Sequence, residues 1–243
     1  MKYFELRCKA WLKEEIGFKS SFEIISKYIS FSMMKGASSE LHERSGYNYF
    51  VFGSFLPLER DGVHKVGQTY EFTLRSLAES FIDDMRDALR KNSDNPKMIV
   101  VTTEKREFGI KFISELYSAS PVIVTSGNDE EGTPIYWTME RDGDIIKLQK
   151  QLHDNLLKKH KSFYGEEITP QQNFIQLLEL KNRVPQSITM YKEGKKVTFF
   201  GNKFKIIPNE DETSQKLAFT ALACGLGEKN SYGGGFCLAG GMR

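Results

Sequence analysis

MKYFELRCKAWL, residues 1–12, alternates apolar and polar side chains. Phe4, Leu6, Cys8, Ala10 and Leu12 fall on one side and Glu5, Arg7 and Lys9 on the other, the two-residue period of a strand with one buried face. The period then changes. Phe18, Phe22, Ile25, Ile29 and Met33 recur at three- and four-residue steps, which predicts a helix from Lys19 to Met34 with Ser20 or Ser21 as its cap. After Gly36, YNYFVFGSFL (47–56) and TYEFTLR (69–75) read as strands joined by a polar turn at Asp61-Gly62. A second helix is expected over Leu77–Lys91, from Phe81, Met85 and Leu89, and strand signal resumes in KMIVVT and EFGIKFIS, closing near SPVIVTS (120–126). Strand, helix, strand, strand, helix, strand is the ferredoxin-like order.

SGNDEEGTP (126–134) is polar and turn-rich and reads as a linker. Beyond it the cycle repeats: IYWTM as a strand, Asp144 to Lys161 as a helix, NFIQLLEL and KVTFFGNKFKII as strands, Thr213 to Cys224 as a helix, and a short strand near Gly235–Leu238. NFIQLLEL fits a helix as well as a strand. The expected fold is α+β, two tandem ferredoxin-like (βαββαβ) domains, at 1–127 and 133–243.

With 243 residues, 40% of them hydrophobic, the chain can bury two cores. Charge interrupts the N-terminal apolar residues at every second position, so neither a signal peptide nor a membrane span fits there, and the expected location is cytoplasmic. Cys8, Cys224 and Cys237 lie in no CxxC spacing and read as packed thiols. Among the histidines His42, His64, His153 and His160 no pair has ligand spacing, so neither a metal nor any other cofactor is implied. His64, in the turn DGVHKVG, reads as exposed, and His153 and His160 fall on the basic helix, where they could touch phosphate, though neither belongs to a motif. Charge is uneven: residues 145–207 carry 12 Lys and Arg against 5 Asp and Glu, whereas residues 1–144 carry 19 against 23. A basic second half suits a polyanion, or simply a solvated lysine-rich helix.

GLGEKNSYGGGF (225–236) holds five glycines between the last helix and the last strand. Gly225 suits a helix end. Gly225, Gly227, Gly233, Gly234 and Gly235 together would let backbone amides face outward, with Lys229, Asn230 and Ser231 as further donors for a phosphate backbone. The stretch lacks the trailing GK[ST] of a P-loop. Lys147, Lys150, Lys158 and Lys161 return to one side of the helix 144–161, and Arg183, Lys192, Lys195 and Lys196 decorate an expected hairpin. Lys203 and Lys205 alternate along the next strand.

GLGEKNS followed by GGGF resembles the C-terminal glycine-rich motif of the RAMP superfamily of CRISPR-associated proteins, specifically its repeat-RNA-processing endoribonucleases. SELHERSGYNYFVFGSFLP resembles that family's segment after the first helix, and SPVIV (120–124) its closing strand of the first domain. The resemblance implies an enzyme that cuts CRISPR precursor RNA within the repeat, without a metal, leaving 2′,3′-cyclic phosphate and 5′-hydroxyl ends. It makes His42 the candidate acid or base; from the residues alone an ordinary surface histidine is the better reading. Tyr28 is the family's candidate partner of that histidine, with a buried structural tyrosine as the alternative. Lys35, seven residues after Tyr28 on nearly the same helix face and within reach of the loop that holds His42, is the candidate cation; where many relatives place a lysine shortly after the histidine, this chain has Arg44 and Asn48.

The implied partner is CRISPR repeat RNA, held by the basic helix, hairpin and glycine loop; homodimerisation and seating in an effector complex stay open. Two rivals stand beside this reading: a RAMP subunit that binds crRNA without cutting it, and a ferredoxin-like protein that binds a small molecule.

Overall fold

A computed structural model describes residues 1–35, 47–192 and 194–241. The first sheet is built from β1 (Lys2–Leu12), β3 (Phe50–Phe52), β5 (Thr69–Ser76) and β6 (Met98–Gly109), in the order β3-β5-β1-β6. β2 (Ile16–Gly17) and β4 (Val63–His64) form a small separate ribbon. β1 pairs antiparallel with both neighbours, setting Leu6 opposite Leu74 on one side and Lys105 on the other. Helices α1 (Phe18–Lys35) and α2 (Glu79–Lys91) follow its first and third strands and cover the face that carries Phe4, Leu6, Cys8, Ala10 and Leu12, all buried. α1 starts at Phe18, ahead of the expected serine cap, and Ser21 Oγ donates back to the Phe18 carbonyl at 2.6 Å.

The second sheet has the same plan in the order β10-β13-β7-β14, from β7 (Glu115–Ser118), β10 (Ile175–Leu180), β13 (Phe204–Pro208) and β14 (Cys237–Gly240). Its helices are α3 (Ile145–Tyr164) and α4 (Glu212–Cys224). In each sheet the unit's first strand lies between its third and fourth, the ferredoxin-like arrangement. The fold is therefore two tandem ferredoxin-like units, as expected.

The crossing between sheets differs from expectation. β6 closes the first sheet and β7 opens the second, so the chain changes sheets between Gly109 and Glu115 rather than within 127–133. IYWTM is not the opening strand; β9 (Pro134–Tyr136) pairs with β8 (Thr125–Asn128) in a separate ribbon. SPVIV closes no sheet. Val122, Ile123 and Val124 are buried because this segment threads between Asn202 and Glu228, with one bridge to each.

That thread also breaks KVTFFGNKFKII into two strands, β12 (Lys195–Gly201) and β13. A Cβ at Gly201 would lie 2.2 Å from the Val122 carbonyl oxygen, so only glycine lets the two chains cross there. β12 pairs with β11 (Gln186–Lys192) in a hairpin that leaves the second sheet and docks on α1. Ile188, Met190 and Phe199 of the hairpin join the first unit's core. Buried Arg75 adds a second tie, from Glu5 (2.8 Å) to the Cys237 carbonyl (2.6 Å).

Candidate functional site

The glycine-rich loop lies where α4, the 121–124 thread and α1 meet. Asp211 caps α4 by accepting from the Ser214 amide, and Gly225, at φ 89°, ends it with its amide on the Ala221 carbonyl. Thereafter the loop folds onto the protein. Leu226 donates to Gly235, Glu228 to Ile123, Gly233 to Asn230, Gly234 to Lys229, and Gly235 to Pro121.

The expectation of outward-facing amides is therefore corrected. Gly225, Gly227, Gly233, Gly234 and Gly235 are buried, and their missing side chains are what allow close packing. A Cβ at Gly233 would meet the Phe22 ring at 2.4 Å, and one at Gly235 the Leu226 carbonyl oxygen at 1.9 Å. Asn230 is an internal brace whose Nδ2 donates to the Leu226 and Gly234 carbonyls. The Ser231 carbonyl accepts from Ser26 on α1.

Beneath the loop stands a residue that charge counting missed. Lys159 of α3 is 2% exposed, and its Nζ donates to Gly225 O (2.8 Å), Gly227 O (2.7 Å) and Asn230 Oδ1 (2.7 Å). Burial pulls its pKa down. Three acceptors nonetheless require three N–H groups, which only the ammonium form has. In the run LKKHK nothing separates this inward lysine from its exposed neighbours, so its signal was helical phase rather than residue type.

Lys159 lies against a cavity of about 320 Å³ that is walled by Tyr47 and Tyr49 on one side and by Glu228, Lys229, Ser231 and Tyr232 of the loop on the other. Lys229 takes a left-handed backbone at φ 58° and places its ammonium 5.7 Å from the Phe199 ring. A second cavity of about 400 Å³ adjoins the first, sharing Tyr47, Gly227 and Glu228 and adding Gln151, Asn155 and Lys158 from α3. Aromatic rings beside ammonium groups can stack bases and pair phosphates.

The predicted site residues divide. His42 lies outside the described residues; Tyr47 and Tyr49 of the cavity wall follow it closely in sequence. Tyr28 is corrected to a core residue: it is fully buried, donates to the Leu89 and Asn92 carbonyls, and accepts from the Val100 amide. Its hydroxyl has no path to a substrate. Lys35 is exposed at the end of α1, 4.4 Å above the Phe31 ring and paired with Asp94 at 3.2 Å.

Of the α3 lysines, Lys158 reaches the second cavity, while Lys147 pairs with Asp142, Lys150 with Asp154 and Lys161 with Glu167. Arg183, Lys195 and Lys196 are exposed on or beside the hairpin and line neither cavity, and Lys192 ends β11. Lys205 pairs with Glu115 at 2.6 Å, and half-buried Lys203 has its pKa lowered by burial.

Three histidine expectations change as well. His64 is buried, its ring edge-on to Phe55 and Tyr70. His153 and His160 are buried too, and His153 Nδ1 accepts from the Phe174 amide. The cysteines are buried free thiols as read, with burial pushing Cys237 up to about 12. Among the described residues no cluster of His, Cys, Asp or Glu could hold a metal ion, and no helix is long and apolar enough to cross a membrane.

Residues 104–238, more than half of the chain, match the family model described as CRISPR associated protein Cas6, C-terminal. The chain belongs to the Cas6 family. It is 26% identical to the CRISPR-associated endoribonuclease Cas6 2 of Methanocaldococcus jannaschii, over 89% of this chain and 92% of that protein. Among solved Cas6 structures, one described as CRISPR associated protein Cas6 aligns with a TM-score of 0.72 at 17% identity, covering 98% of this chain and 99% of its own. A Cas6-related protein from Pyrococcus furiosus gives 0.71 at 14% identity, covering 99% of this chain and all of its own. These structural likenesses carry the fold over the whole chain, so the glycine loop, α3 and the Tyr47–Tyr49 wall are set on a Cas6 framework.

Proposed function

We propose that this protein is an endoribonuclease that cleaves CRISPR precursor RNA within the repeat and releases crRNA, without a metal. The observation that carries the reading is the cavity between the Tyr47–Tyr49 segment and the glycine loop, with Lys159 beneath it, in a Cas6-family chain whose relative is named an endoribonuclease. In this reading the substrate 2′-hydroxyl attacks the adjacent phosphorus while its proton passes to a base. The P–O5′ bond then breaks as an acid protonates the leaving oxygen, giving a 2′,3′-cyclic phosphate and a 5′-hydroxyl. His42 serves as that acid or base. Lys35 is the proposed cation, on the condition that phosphate displaces Asp94 from it.

RNA would be held by the cavity wall, by Lys158 and Lys229, and by the exposed charges of the hairpin. Its affinity would therefore fall with added salt. Cleavage of a repeat RNA in EDTA by wild type but not by His42→Ala supports the assignment, and equal cutting by both removes His42 from it. A second reading, a RAMP subunit that binds crRNA without cutting it, gains from the burial of Tyr28, which withdraws one expected catalytic group. Binding without cleavage by the wild type would favour it. Gel filtration with and without the RNA distinguishes a monomer from a homodimer, and co-purification tests for an effector complex.

A further inference from the structure

We propose that the pocket between Leu58 of the first unit and Leu238 of the second is a docking site for a partner protein, which inserts a phenylalanine or leucine side chain flanked by carboxylates. Phe204, Ile206 and Cys237 are buried with α3 and α4, so the alternating positions Lys203, Lys205 and Leu238 belong to the opposite face of the second sheet. Gly53 and Thr73 of the first unit, with Leu56 and Leu58 after β3, face Lys203 and Leu238 across a pocket of about 150 Å³ that has buried Phe236 in its wall. It shares no lining residue with the two cavities beside the glycine loop, and the inference stands apart from the RNA-cutting reading.

Of the lysines on that sheet face, two are paired within it. Lys181 meets Glu179 at 2.9 Å and Lys205 meets Glu115 at 2.6 Å. Half-buried Lys203 has neither an ion pair nor a side-chain hydrogen bond among the described residues, and burial alone lowers its pKa. An ammonium partly withdrawn from water beside carbon, with no counter-ion of its own, is stabilised by an arriving anion. The size of the pocket decides what the anion brings with it. An apolar cavity of about 150 Å³ holds a benzene ring, whereas pockets for drug-sized ligands begin near 300 Å³. A phenyl or isobutyl group fits; a whole nucleotide does not. Leu56, Leu58 and Leu238 are exposed around the opening. A lone small acid in the pocket leaves that rim in water, while the chain that bears an inserted side chain covers it.

The probes are labelled peptides read by fluorescence anisotropy with the full chain: one with a central phenylalanine between aspartates, one with alanine at the centre, and one with lysines in place of the aspartates. Wild type should bind the first about tenfold more tightly than the alanine peptide, the scale of one buried phenyl ring, and about fivefold more tightly than the lysine peptide, the scale of one ion pair. Lys203→Gln should abolish the preference for aspartate and keep the preference for phenylalanine; Leu58→Ser should weaken the latter. The peptide comparison on wild type decides the proposal even where a variant unfolds. Equal binding of the phenylalanine and alanine peptides, or an aspartate preference that survives Lys203→Gln, overturns the site. Displacement of the peptide by a repeat RNA assigns the pocket to RNA, and competition by free 3-phenylpropionate at the same concentration assigns it to a small acid. A wild-type dimer on gel filtration that Leu58→Ser dissociates assigns it to a second copy. Each of these three results overturns the docking of a partner chain and leaves the RNA-cutting reading to its own test.

Discussion

Replacing Lys159 with methionine keeps most of the side-chain volume and removes the ammonium from beneath the glycine loop. Two carbonyls and one amide oxygen, held at 2.7–2.8 Å, then lose their donor. Each orphaned acceptor costs about 1–3 kcal/mol. Relief from burying a cation returns several kcal/mol of that sum. A net loss of roughly 3 kcal/mol follows, or a fall in Tm of about 6–12 °C for a chain of this size. Thermal unfolding gives the global value, and hydrogen exchange of a peptide spanning 225–236 gives the local one. Exchange there should rise, and RNA cleavage should drop with it. Arginine should not rescue, because a planar guanidinium cannot fill a site shaped for a compact ammonium. A Tm within about 2 °C of wild type together with unchanged exchange across the loop would refute the reasoning.

Arg75→Ala leaves the Glu5 carboxylate 3% exposed with one cationic partner removed, and should cost about 3–5 kcal/mol in urea unfolding, partly recovered by adding Glu5→Gln. Gly235→Ala forces a Cβ to within 1.9 Å of Leu226 O and should destabilise far more than Gly194→Ala, which meets nothing within 4 Å and carries only the left-handed backbone penalty of about 1–2 kcal/mol. Burial lowers the pKa of His153, which accepts a hydrogen bond from the Phe174 amide. The unfolded chain then binds more protons at this position as pH falls below the ordinary histidine value of 6.5, so stability is full above it and declines toward the folded pKa. Tm measured from pH 7.5 down to 5 should fall, and His153→Gln should flatten that slope.

The strands with one solvated face were legible because their period is two: β1 and β5 read directly from alternation. β7 was not, since Glu115–Ser118 is four residues long and its partners β13 and β14 come from much later in the chain. SPVIV misled for a related reason. A short apolar run says that it is buried, not whether a sheet or a crossing chain buries it. The glycine stretch was legible as a loop between helix and strand, but composition cannot distinguish glycines that expose their amides from glycines that admit Phe22 and Leu226. Lys159 and His64 share one lesson. Polar neighbours in sequence suggested solvent, whereas helix phase turned Lys159 inward and the 61–70 turn closed His64 over Phe55 and Tyr70.

End-group mapping tests the central claim most directly. Purified protein is incubated in EDTA with RNA of a CRISPR repeat, alongside His42→Ala, and the fragments are mapped. The account predicts a single cut within the repeat, a 2′,3′-cyclic phosphate upstream, a 5′-hydroxyl downstream, and no cut by the variant. Intact RNA with wild type, or fragments ending in a 3′-hydroxyl, would contradict it.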